Sequence, residues 1–198
     1  MSEEKGYIKF NCDWEKKNVI SEKEIEELNE YRDKLYYKNL IGAFENKVGF
    51  GNISERIKGT NKFIITASKT GNFKKLLSKN YSKVTEFDID KNTVKCYGLS
   101  IASSESLAHG AIYEAKPDIN SVIHIHDFDI WKKYLDKLPT TDKSALFGTS
   151  EMANEIKRIL KSEKLNPKVI VMGGHEEGII SFGKNIEDAF NELMKIFN

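Results

Sequence analysis

SSESLAHGAIYEAKPDINSVIHIH, residues 103 to 126, changes its periodicity half-way along. Ser103 or Ser104 can act as N-cap, and Leu107, Ala108, Ala111, Ile112 and Ala115 then recur at helical spacing. Pro117 and the Asp-Ile-Asn after it stop that helix. Ser121–His126 reads as a short strand on which Val122, His124 and His126 share a face. Two imidazoles two residues apart on one face point the same way, as two ligands of one metal must. Glu105 sits at the mouth of the helix, where backbone N–H groups point outward. A helix mouth, a carboxylate and a histidine pair this close together exceed what a fold requires.

Composition narrows the function classes. Lys and Arg number 31 against 30 Asp and Glu, so the chain makes no field that favours nucleic acid or an anionic membrane. Only Arg32, Arg56 and Arg158 are arginines, which leaves the bidentate reader of phosphate and guanine almost absent. Cys12 and Cys96 lie far apart and form no CxxC pattern, so neither a disulfide framework nor a zinc ribbon is indicated. MSEEKG has no apolar core of a signal peptide, and no run approaches the ~18 apolar residues of a membrane span. These features predict a cytoplasmic protein with free thiols, and 198 residues without repeat or linker predict one domain.

Outward from the central stretch, residues 7–12 alternate and predict a strand or ordered arm. Ser21 and Glu24 form a capping-box pattern ahead of a helix to about Tyr37. Gly49–Arg56 reads either as a hairpin turn or as an anion cradle in which glycine lets the backbone approach a ligand and Asn52 donates its amide. Phe63–Ala67 is a buried-looking strand that ends in a polar loop, Ser68-Lys69-Thr70-Gly71-Asn72. Val84–Asp88 and Thr93–Tyr97 predict a hairpin. A helix is expected over Phe128–Leu138, stopped by Pro139, and another after Gly148-Thr149 with Met152, Ile156, Ile159 and Leu160 on one face. The strands 169–172 and 179–182 flank a glycine-bracketed turn holding His175, and Asn185 caps a last helix. Helices and strands are interspersed, and the strands include hairpins. That order predicts an α/β fold with a mixed sheet covered on both faces.

Of the four histidines, His124 and His126 make the pair, and His175 is the only credible third nitrogen ligand. His109 lies one helical turn after Glu105 and is expected to orient that carboxylate or to pack.

From about Arg32 to Phe190 the chain resembles the class II aldolase/adducin family. The resemblance is carried by Gly51-Asn52-Ile53-Ser54 with Arg56, Ile65-Thr66 and its polar loop, Ser103-Ser104-Glu105 with Ile112-Tyr113, and Val122-Ile123-His124-Ile125-His126. Gly148-Thr149 with Met152-Ala153, and His175 with Gly178 and Gly183, complete it. The nineteen-residue step from Glu105 to His124 is the family's. The resemblance implies a single-domain three-layer αβα sandwich over residues 1–198, with 1–20 as an N-terminal arm and a central mixed, largely antiparallel sheet. It implies that His124, His126 and His175 bind a divalent metal, zinc or another such as Mn²⁺, with Glu105 as catalytic acid/base. Asn52, Thr70, Gly71, Ser103 and Ser104 would cradle a substrate phosphate.

The activity so implied is that of a metal-dependent lyase, an aldolase acting on a small phosphorylated ketose such as fuculose 1-phosphate, in a homotetramer. Sugar-phosphate 4-epimerisation and dehydration of a thioribulose phosphate use the same kind of site. Adducin heads keep the fold as non-catalytic interaction modules. Two features depart from the family pattern. His175 is followed by Glu176-Glu177 before Gly178, which reads as an inserted pair in preference to Glu177 taking the ligand's place. The polar loop has one extra residue, and Lys69 either adds charge to the phosphate pocket or is solvated. Tyr134 is the candidate for the second proton donor that aldolases of the family take from a neighbouring subunit.

Overall fold

A computed structural model describes residues 8–162 and 165–197. The chain opens with strand β1 (Asn11–Lys16), a 3-10 turn and helix α1 (Glu26–Tyr37). Ser21 and Glu24 form the expected capping box ahead of α1, each side chain meeting the other's backbone N–H. A small hairpin, β2 (Gly42–Ala43) and β3 (Gly49–Phe50), leads into β4 (Asn52–Arg56) and β5 (Phe63–Thr66). After the polar loop come β6 (Tyr81–Asp88) and β7 (Thr93–Gly98), then α2 (Ser106–Ala115) and β8 (Ser121–His126). The remainder is α3 (Phe128–Tyr134), α4 (Ser150–Ser162), β9 (Val169–Val171), β10 (Gly178–Gly183) and α5 (Ile186–Met194).

Eight strands form one sheet in the order β1-β7-β6-β5-β4-β8-β10-β9. Every neighbouring pair is antiparallel except β1 with β7. The sheet is therefore mixed and largely antiparallel, as the resemblance implied. Its faces follow from strict alternation along β8. Val122 enters a core shared with Leu107, Ile112, Met152 and Ile156 of α2 and α4. Ile123 and Ile125 enter a second core with Leu28 and Leu35 of α1 and Ile186 and Leu193 of α5. All six residues of β8 are buried, which is why its sequence is nearly continuous in apolar and ligand residues. Burying each Ile or Val side chain contributes about 1.5–3 kcal/mol. The two faces together hold helices on either side of the sheet, giving three layers.

Some boundaries differ from expectation for physical reasons. The first strand begins at Asn11, not residue 7, because Phe10 turns into the core and Asn11 pairs with Thr93; residue 7 lies outside the described residues. Helix α3 ends at Tyr134, since Asp136 takes a left-handed φ of 59° and the Thr140 hydroxyl accepts its N–H. Helix α2 begins at Ser106, so neither Ser103 nor Ser104 is its N-cap. Instead Ser103 shapes the turn before it, with Oγ accepting the Glu105 N–H at 3.3 Å and its carbonyl accepting the Ser106 hydroxyl at 2.7 Å. At the other end of α2, Arg56 on β4 donates to the carbonyls of Lys116 at 2.9 Å and Ile119 at 2.8 Å. That guanidinium fixes the helix, and with it Glu105, relative to the strand carrying Asn52.

Candidate metal centre and anion cavity

His124 and His126 stand on the α2 side of β8, and β10 runs antiparallel beside it, with Ile180 opposite His124 and Gly178 opposite His126. The tight turn between β9 and β10 swings His175 onto them. Gly178 is required there, because a Cβ would press within 2.6 Å of the His175 ring. The three histidines are buried and offer one ligand atom each, all within 4.8 Å of one another. The orientations favour coordination. His124 turns Nδ1 to the Ile179 carbonyl at 3.2 Å, which leaves Nε2 for the cluster. His126 turns Nδ1 to the Glu177 carboxylate at 3.4 Å and faces Nε2 to His175 Nε2 at 2.9 Å. Such partners on the far nitrogen fix the tautomer a ligand needs. Burial lowers the His124 pKa to about 4, so its ring is neutral and its lone pair available. An all-imidazole set of three fits a zinc-like divalent ion and leaves further positions for substrate oxygens. Phe147 packs on His175 with ring centroids 4.6 Å apart, and Phe50 on His126 at 5.3 Å.

These histidines form one end of a cavity of about 450 Å³ whose wall also includes Asn52, Thr70, Gly71, Ser103, Ser104 and Glu105. The expected metal ligands, the expected acid/base and the expected phosphate-binding residues thus line one space. Glu105 is buried, and its Oε2 has no partner among the described residues. Burial is the dominant influence on its carboxyl and pushes it up to about 7, with Lys9 pulling weakly the other way. Asn52 Oδ1 is likewise buried without a partner. Two orphaned polar atoms in one cavity mark a place where a ligand completes the hydrogen bonding. The Thr70 hydroxyl donates to the Ala67 carbonyl at 2.7 Å, so the loop offers an anion its backbone more than that side chain. Gly71 packs so closely on the β2–β3 hairpin that a Cβ would strike the Gly42 carbonyl, which is reason enough for glycine there.

The model of the class II aldolase and adducin N-terminal domain matches residues 36–196. The chain belongs to the class II aldolase/adducin family. Among curated members, human gamma-adducin is 27% identical over 158 residues, covering 73% of this chain and 22% of that protein. Human beta-adducin is 29% identical over 100 residues, covering 44% and 14%. The chain therefore spans about a fifth or less of the length of these relatives. Among solved structures, an L-fuculose 1-phosphate aldolase superposes with a TM-score of 0.67 at 21% identity, covering 90% of this chain and 85% of that one. A sugar-phosphate aldolase from Thermotoga maritima gives 0.62 at 15%, covering 87% and 89%. At these identities the likeness is one of fold.

Within this aldolase/adducin frame, both departures in sequence take the same backbone form. Lys69 and Glu177 hold left-handed φ values of 65° and 71°, which cost a residue with a Cβ. Both residues after His175 lie in the β9–β10 turn, with Glu177 beside His126 and His175 in the cluster. Lys69 lines the cavity. The His109 backbone N–H donates to the Glu105 carbonyl at 3.1 Å, but its ring turns elsewhere: Nδ1 meets the Ser54 hydroxyl at 2.6 Å, and Ser54 meets the Tyr113 hydroxyl at 2.7 Å. Tyr134 lies on the opposite side of the sheet, packed against the α1/α5 core, and does not line the cavity. Sequence reasoning missed Phe44, Phe50, Lys47 and Phe147 in the wall, although Phe147 directly precedes the Gly148-Thr149 pair. It also missed Lys9, whose Nζ lies 3.7 Å from the Phe147 ring centroid. Nothing local in the sequence signals either contact.

Proposed function

We propose that the protein is a metal-dependent lyase of aldol type that breaks or forms a C–C bond in a small phosphorylated ketose. One observation carries this reading: three histidine ligand atoms within 4.8 Å share a cavity with a buried carboxylate whose Oε2 is unpartnered. A fold used only as a scaffold has no need of either, and burying a carboxylate oxygen without a partner costs stability.

His124, His126 and His175 would hold the ion, zinc or another divalent metal such as Mn²⁺. When bound, it supplies a Lewis acid that polarises the substrate carbonyl. Glu105 moves a proton to or from the carbon at which the bond is broken, a task suited to a carboxyl raised to about 7. Ser103, Ser104 and Asn52, with the Thr70-Gly71 backbone, bind and orient the phosphate at the start of α2, where helix N–H groups favour an anion. Phe44, Phe50 and Phe147 shield the histidines from water. The same groups suit 4-epimerisation by bond cleavage and re-addition, and dehydration of a thioribulose phosphate. A homotetramer in the cytoplasm is part of the proposal, with a neighbouring subunit closing the cavity.

The test is to screen the zinc- or manganese-loaded protein for cleavage of short-chain ketose 1-phosphates. Aldehyde release from one of them is the expected result. A second reading, a non-catalytic interaction module, is favoured by the identity to gamma-adducin over 73% of the chain. It predicts no turnover and no tight metal in the purified protein.

A further inference from the structure

Arg32 on α1 is 1% exposed, and a guanidinium taken out of water needs partners. Among the described residues its one nearby carboxylate, Asp33, is 3.7 Å away and shared with Lys75. Arg32 finds partners for its terminal nitrogens in the backbone of residues 70–74, while its Nε has none among the described residues. It donates to the carbonyls of Thr70 at 3.3 Å, Gly71 at 3.1 Å and Lys74 at 3.2 Å, and its plane lies 4.6 Å from the Tyr36 ring.

A peptide unit is planar and trans, so its C=O and N–H point to opposite sides. With the Thr70 and Gly71 carbonyls drawn to Arg32, the N–H groups of Gly71 and Asn72 face away from it. Neither of those N–H groups has a backbone acceptor among the described residues, and both residues line the cavity. We propose that Arg32 is a positioning residue for anion recognition: from behind the loop it pins two carbonyls so that the Gly71 and Asn72 amides are presented to the substrate's phosphate. Arg56 makes a similar carbonyl cluster at the far end of α2, but none of its acceptors lines the cavity. The location, not the motif, gives Arg32 its role. This inference rests on the loop being the anion subsite.

Two measurements on the full chain test it. In wild-type protein, titration with inorganic phosphate followed by amide NMR is expected to move the Gly71 and Asn72 resonances more than those of other loop amides. The second compares Arg32→Lys with wild type by calorimetry, using phosphate and, separately, zinc. A lysine ammonium lacks the planar fork that reaches three carbonyls. Phosphate affinity is expected to fall about tenfold, the effect of losing one or two charge-assisted bonds, while zinc stoichiometry stays unchanged. If wild type binds phosphate with those shifts and Arg32→Lys binds it equally well, the role of Arg32 is overturned and the subsite stands. If phosphate moves other residues and leaves Gly71 and Asn72 untouched, the loop reading and the inference fall together. Should the lysine variant fail to fold, Arg32→Gln takes its place in the same comparison, with the same expected and overturning results.

Discussion

In the proposed function, the burial of Glu105 serves chemistry at the expense of stability. In the unfolded chain its carboxyl titrates near 4.5, and in the folded protein near 7. Between those values the folded state keeps a proton that the unfolded state has released. Stability therefore falls as pH rises from about 4.5 through 7. Gln at this position has no such titration. In the metal-free protein, Glu105→Gln is expected to melt close to wild type at pH 5 and above it at pH 8; parallel melting curves at both pH values check this. The same substitution should lower kcat by ~10²–10⁴ with KM changed much less, because Gln cannot exchange a proton. The wild-type rate should rise with pH to a plateau above about 7, following ionisation of the base. Glu177 acts one step further from the chemistry, through His126 at 3.4 Å. Glu177→Gln is expected to weaken zinc by about tenfold or more in a competition titration with a chelating dye, as loss of a ligand's hydrogen-bond partner does.

At the scale of elements, the turn before α2 and the polar loop converge on one cavity, the proposed anion subsite. Ser104→Asp would set a second negative charge against a phosphate in a poorly solvated cavity. KM for a phosphorylated substrate should rise at least about tenfold, and inorganic phosphate binding should fall in step. An unchanged KM removes Ser104 from the subsite. The elements that build the site were legible where the signal is local. Apolar spacing located α2 and β8, and Ser21 with Glu24 and Asn185 marked helix starts that are present in the structure. Signals that cross the chain were silent. Arg32 reads as one more polar residue of an amphipathic helix until the loop carbonyls are beside it. His109 was expected to orient Glu105 or to pack; it packs, with Ser54 on β4 claiming its ring, a contact no helical period can show. The left-handed turns at Lys69 and Glu177 were visible only as extra residues.

For the molecule as a whole, the three ligands tie β8 to the β9–β10 turn. Binding zinc should raise the melting temperature, and removing it with a chelator should reverse that, since an ion held at 100 times its dissociation constant adds about 2.7 kcal/mol. Equal melting with and without metal would separate the cluster from a binding role. Light scattering at working concentration is expected to give a tetramer, and a monomer would leave the cavity unclosed. The parallel edge of the sheet has a consequence in time. Cys12 and Cys96 meet at 3.7 Å across β1 and β7 but stand 84 residues apart in the chain. During synthesis β1 leaves the ribosome before its partner β7, with β2 to β6 and α1 made in between. The earliest strand is thus a late arrival in the sheet. Pulse-labelled hydrogen exchange during refolding should show the β1 amides gaining protection after those of β6 and β7.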